Sequence, residues 1–283
     1  MYRSTSSPLF LRILLLISFV VALGALWAEI WGPKPRLQSF NQEAPDPLQS
    51  LPDLKSIQHI PWRKEAFFDA LVPLVVYENQ RIAWQRQQLQ TARDYYAKGE
   101  AEHLTASDQQ LLSRILSHYR TDPPATPEAW DALLKRVRPV PLELVLMQAA
   151  KESAWGGSRF AREGNNLFGQ WCFVEGCGLV PLQRTPDMRH EVKVFPNVQA
   201  SVRSYMQNIN THAAYRDLRR LRSSFYARGE QPEAVDLAPG LIHYSERGQA
   251  YVRELVQLLH SNAEVMDQAL LSYQEEKSSQ QEQ

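Results

Sequence analysis

Glu152 is the residue best placed to do chemistry, in the stretch Lys151-Glu152-Ser153-Ala154-Trp155-Gly156-Gly157-Ser158. It is one carboxylate at the end of an apolar helix, beside an indole and just before two glycines. A glutamate in a last helical turn faces the negative end of the helix dipole, which disfavours its ionised form. Partial burial against Trp155 would act in the same direction. The chemistry expected is that of an acid kept protonated near neutral pH, ready to protonate a leaving group. Downstream, Asn165-Asn166-Leu167-Phe168-Gly169-Gln170-Trp171 crowds amides and aromatic rings into a turn-rich loop. Amides bond hydroxyls and rings stack on sugar faces, so Trp155, Asn166, Phe168 and Gln170 are candidate binding residues. The plainer alternative pairs Glu152 with Lys151 or Arg159 and leaves the loop to pack on itself.

The elements that must position these groups follow from periodicity. Leu142 to Ala150 is apolar at seven of nine positions, too apolar for a surface helix, and Gln148 and Glu152 share one face of it. Upstream, Arg63 to about Lys98 reads as a helix with Phe67, Leu71, Leu74, Val75 and Ile82 on one stripe, and Pro73 as a kink. Gln109 to Tyr119 follows, after Thr105 or Ser107 as cap. Thr126-Pro127-Glu128 opens a third helix that ends near Arg138-Pro139. After the loop the period changes to two. Leu179–Arg184 and His190–Phe195 read as a hairpin with Thr185-Pro186-Asp187 in its turn, Glu191 and Lys193 sharing one face. Helices then return: one capped by Asn197, an arginine-rich one carrying Arg216, Arg219, Arg220 and Arg222 as a solvated face, one opened by Pro232, and Tyr251–His260. Beyond Tyr273 the tail is polar and expected to fray.

Composition narrows the function. Lysines plus arginines number 31 and acids 31, with a pI near 7.1, so nothing global points to nucleic acid. Ile13 to Ala28 is an uncharged, almost wholly apolar stretch of sixteen residues preceded by Arg3 and Arg12, with Trp27 and Trp31 at its far edge. That pattern favours an uncleaved inner-membrane anchor, with a cleaved signal peptide at Ala22-Leu23-Gly24 as the competing reading. Either way the body is exported to the periplasmic face. The only two cysteines, Cys172 and Cys177, are separated by four residues, and in an oxidising compartment they close a small disulfide ring. No cofactor is expected. A zinc site lacks ligands, His190-Glu191 lacks a zincin's second histidine, and there is no phosphate loop.

From about Pro139 to His260 the chain resembles the glucosaminidase family of peptidoglycan hydrolases, glycoside hydrolase family 73, and within it the bacterial Bax-type members. The residues that carry the likeness are Gln148 to Gly156, Asn165 to Gly169, His190 to Phe195, Ser201 to Tyr205, Thr211 to Arg216 and the stretch Tyr244 to Tyr251. It extends more loosely upstream to Trp62. The resemblance implies a mainly α, lysozyme-like α+β domain with a small β-hairpin lobe across a groove, cleaving β-1,4 bonds after N-acetylglucosamine in cell-wall glycan strands. By motif match Glu152 takes the general-acid role, Tyr244 lines the reaction centre, and Trp155, Phe168 and Tyr215 shape the groove. Family members often carry a glutamate on the first strand of the lobe. Here Leu179 to Arg184 has none, and Ser204 stands where some members carry aspartate. Glu191, facing out of the second strand, is the substitute, with Asp187 behind it; a substrate acetamido group is the third candidate. Five segments result: anchor 1–31, proline-rich spacer 32–61, accessory helices 62–138, glucosaminidase domain 139–262 and tail 263–283. Peptidoglycan is the expected partner. The rival readings are a lytic transglycosylase and a non-catalytic wall-binding scaffold.

Overall fold

A computed structural model describes residues 37–46, 48–182 and 189–281. The expected anchor at 1–31 and the turn at Asp187 lie outside these residues. No helix among those described is long and apolar enough to cross a membrane.

The organising element is α1, Ile60–Ala97, opened by Pro61 where a missing N–H costs nothing. At 1.5 Å per residue its 38 residues span about 57 Å. Its apolar stripe is the expected one, with Phe67, Leu71, Leu74, Val75 and Ile82 all buried. Around it pack α2 (Ala106–His118), α3 (Pro127–Arg136) and α4 (Leu142–Ser153). The caps fall where the sequence put them. Thr105 Oγ1 accepts from the Asp108 N–H in a reciprocal capping box, and Thr126 Oγ1 accepts from that of Ala129. α4 carries Glu152 and buries Leu144 through Ala150 without a break, as its composition required.

α5 (Arg159–Gly164) leads to three short strands, β1 (Trp171–Cys172), β2 (Gly178–Leu179) and β3 (Glu191–Lys193). The sheet is antiparallel in the order β1-β3-β2, pairing Trp171 with Val192 and Leu179 with Val192. β2 and β3 pair antiparallel as the expected hairpin requires, but β2 shares only Leu179 with the expected strand Leu179–Arg184, and the expected turn lies outside the described residues. The third strand, β1, was hidden because the aromatic loop that supplies it has no period-two pattern. Then come α6 (Val198–Thr211) capped by Asn197, α7 (Arg216–Ala227), α8 (Ala234–Leu237), α9 (Gln249–Ser261) and α10 (Ala263–Gln281).

Three expectations need correction. The tail does not fray at Tyr273: α10 runs to Gln281 and packs on α1, burying Met266 and Ala269. The arginine-rich face is only half solvated. Arg222 is fully buried, its guanidinium donating to the Lys135, Arg136, Arg138 and Pro139 carbonyls and to Asn210 Oδ1, and so satisfying the orphan carbonyls at the end of α3. Arg219 donates to the Ile209 and His212 carbonyls. The spacer is not free-standing from Gln38 onward. Trp84 Nε1 donates to the Gln38 carbonyl, the Val198 N–H to that of Leu48, and Leu54 is buried. Its apolar side chains outweigh its prolines.

Candidate active site

α4 ends in an unusual turn. Ala154, Trp155 and Gly156 are all left-handed, with φ of 52, 57 and 74°. Two non-glycine residues in that region cost roughly 1–2 kcal/mol each. The turn is held by the Trp155 N–H on the Ala150 carbonyl, the Ser158 N–H on that of Ser153, and the Gly156 N–H on Ser153 Oγ at 2.8 Å. Gly156 suits the turn because its φ of 74° strains any residue with a side chain, and a Cβ there would also press the tips of Leu51 and Leu54, at 2.7 and 2.9 Å, to move. Glu152 thereby sits in the last full turn before an abrupt reversal of the chain.

Around it stands a shell of tyrosines from α6, α9 and the turns before α7 and α9. The Tyr251 hydroxyl donates to the Glu152 carboxylate. The same hydroxyl accepts from Gln148 Nε2 at 2.8 Å, and Gln148 Oε1 accepts from the Tyr205 hydroxyl. Gln148 is fully buried. It faces this network, one helical turn before Glu152, and fixes both rings. Tyr244 stacks on Tyr251 at 5.4 Å and donates to the Phe168 carbonyl at 2.9 Å; Phe168 stacks on Tyr205 at 4.0 Å. Tyr215 lies 6.0 Å from Tyr244.

Burial raises the Glu152 pKa, against the opposing pull of the Tyr251 hydrogen bond and the Lys151 charge. Burial and the Glu152 charge push Tyr215 up to about 12, and Tyr205, Tyr244 and Tyr251 are raised well above the usual phenol range, again chiefly by burial. The tyrosines are therefore neutral hydroxyls around one protonatable carboxyl. The ion-pair alternative for Glu152 fails. Lys151 Nζ lies 2.6 Å from Glu254, which Arg247 also holds, and Arg159 pairs with Glu163.

The other expected residues are placed as follows. Trp155 packs edge-on against Phe67 and Phe68 on α1, at 5.7 and 5.4 Å, with Lys64 Nζ over its ring. Asn166 is buried: its amide donates to the Gln170 and Lys193 carbonyls, and Oδ1 accepts from the Phe168 and Gln170 N–H groups. It ties the aromatic loop to β3. Glu191 does not face outward. It is 5% exposed, with Oε1 accepting from the Gly176 N–H at 3.0 Å and Oε2 from that of Gly178 at 2.7 Å. The Cys172–Cys177 disulfide folds its loop over the strand and aims those N–H groups inward. That covering is what period-two reasoning could not anticipate. The two sulfurs and Glu191 form the described grouping with metal-like spacing, but the disulfide uses up both thiolates.

Sequence reasoning missed Tyr251, Tyr205 and the holding role of Gln148. The signal lay in spacing: Gln148 is one turn from Glu152 on a helix buried on every side. A buried amide there needs partners from other elements.

One half-buried carboxyl, its pKa raised by burial, thus stands among neutral aromatic hydroxyls in a helical domain that carries a small β-lobe. Residues 127–264 match the Glucosaminidase family, described as mannosyl-glycoprotein endo-beta-N-acetylglucosaminidase. The chain is also 30% identical over 213 residues to Protein bax of Escherichia coli strain K12, covering 75% of this chain and 74% of that protein. The chain belongs to the glucosaminidase family of glycoside hydrolases. No solved structure matches it.

Proposed function

We propose that the chain is an endo-β-N-acetylglucosaminidase that hydrolyses β-1,4 bonds in peptidoglycan glycan strands from the periplasmic side, with Glu152 as general acid. The observation that carries this reading is the raised pKa of Glu152 at a tyrosine-ringed helix end, inside the region matched by the family model. Glu152 gives its proton to the glycosidic oxygen as the C1–O bond breaks, then takes a proton from the water that attacks C1.

The second group is the substrate's own acetamido oxygen. It bonds to C1 as the leaving group departs and is displaced by the attacking water. Glu191 is disfavoured in that role, because both its oxygens are occupied by backbone N–H groups and it is buried. Phe168 and Tyr215 act as walls, with Tyr244 at the reaction centre. Asn166 and Trp155 act at one remove, by fixing the loop and the turn, and Gln170 borders a polar pocket beside β1.

Incubating purified sacculi with the full chain tests the reading. Glu152→Gln is expected to retain the fold and leave less than about 1% of activity, since losing general acid catalysis costs 10²–10⁴-fold. Products of the wild type should carry reducing N-acetylglucosamine ends. Anhydromuramyl ends would assign a transglycosylase instead, and binding without new ends a scaffold. Loss of activity in Asp187→Asn would replace the acetamido group by a second carboxylate.

A further inference from the structure

Away from Glu152, a pocket of about 210 Å³ opens between the end of α2, the polar face of α6 and the β-lobe. Arg120, Lys193, Gln170, Trp171, Ser204 and Asn208 line it. It falls below the roughly 300–1,000 Å³ of a whole small-molecule site, and suits one or two residues of a branch. Its chemistry is one-sided. Two cations line it and no carboxylate does, and neither cation is ion-paired to an acid among the described residues.

Arg120 is exposed on a left-handed residue, φ 52°, where α2 breaks off, which projects it from the helix end. Behind it the charge is also positive: Arg81 and Arg203 both pair with the buried Glu78, at 2.8 and 2.9 Å. His118 cannot add to or offset this near neutrality, since burial, then Arg81, Arg203 and Arg120, hold it down to about 4 against Glu78. The second feature is a wall: Trp171 is 54% exposed yet held flat by stacking on His190 at 4.0 Å.

We propose that this pocket binds a free carboxylate of a short acidic peptide attached to the glycan, with Arg120 and Lys193 on the carboxylate and Trp171 as a wall beside it. The arginine fork suits a carboxylate in particular. Arg120 comes from the helices before the matched region, so these helices would contribute to substrate choice as well as to the core. This assignment rests on the peptidoglycan reading above.

Calorimetry on the full chain tests it without any turnover. The probe is the tetrapeptide freed from purified sacculi by an amidase, compared with the same peptide with amidated carboxylates and with inorganic phosphate. Saturable, salt-sensitive binding of the acidic peptide is expected, weakened at least tenfold in Arg120→Gln and in Lys193→Gln and abolished by amidation. In hydrolysis assays Arg120→Gln should raise KM for intact sacculi at least fivefold while kcat holds, with a smaller effect on peptide-stripped strands. Equal binding by wild type and Arg120→Gln, or equal affinity for the amidated peptide, overturns the proposal. Phosphate binding as tight as the peptide reveals a plain anion site and also overturns it. Failure to cleave any glycan would sink the hydrolase reading while leaving the peptide titration readable. An unchanged melting temperature in Arg120→Gln separates these effects from misfolding.

Discussion

The Glu152 carboxyl is set by a balance of burial, the Tyr251 hydroxyl and the Lys151 charge, and each can be perturbed singly. Burial raises its pKa, while the Tyr251 hydroxyl and Lys151 lower it. Removing the hydroxyl in Tyr251→Phe is therefore expected to raise it further. The alkaline limb of kcat/KM, which reports the protonated acid, should move to higher pH. The same change leaves Gln148 Nε2 buried without an acceptor, costing about 1–3 kcal/mol, measurable by urea denaturation. The raised pKa also has a stability consequence. The folded state binds the Glu152 proton more tightly than the unfolded chain, so stability falls as pH rises from about 4.3 toward the folded value. Glu152→Gln keeps an acceptor for Tyr251 and removes that penalty. It should melt higher than wild type at pH 7 and at the same temperature below about pH 4, read by thermal circular dichroism.

Among the elements, the β-lobe depends on Glu191 as a fastener. Its carboxylate ties the disulfide-closed loop to β3 through two charge-assisted hydrogen bonds. Glu191→Gln turns one acceptor oxygen into a donor facing a backbone N–H. The expected cost is about 1–3 kcal/mol, with sacculus hydrolysis kept within tenfold at temperatures where the variant is folded. A loss of a hundredfold or more in the folded variant would make Glu191 catalytic. The helices were the legible part of the chain. The apolar stripe of α1 and the caps at Thr105, Thr126 and Asn197 are local signals, and local physics decides them. Two-residue strands such as β1 carry no pattern of their own, because cross-strand partners define them.

For the whole molecule, the described residues from Gln38 onward form one compact unit built on α1. That helix contacts α2, α3, α4, α6 and α10, so the accessory helices and the tail are parts of the core that carries Glu152. Ending the chain after Asn262 removes α10, including buried Met266 and Ala269, and uncovers α1. This truncation is expected to lower the urea midpoint and the melting temperature together. Unchanged melting would mean that α10 is dispensable and the tail behaves as an appendage.

By itself the sequence determined the glutamate at the end of a buried helix, the caps at Thr105, Thr126 and Asn197, and the cysteine pair. These rest on composition and spacing within a dozen residues, where local energetics prevail. It also carried the family likeness, in an ordered set of motifs around that glutamate. Only the tertiary structure decided what Glu152 touches. Tyr251 lies 99 positions away, Gln148 joins it to Tyr205, and Trp155 turns from the acid to α1. It likewise took Arg222 and Glu191 out of solvent. Buried polar groups must find hydrogen-bond partners wherever the fold supplies them, and residue type alone does not say where that will be.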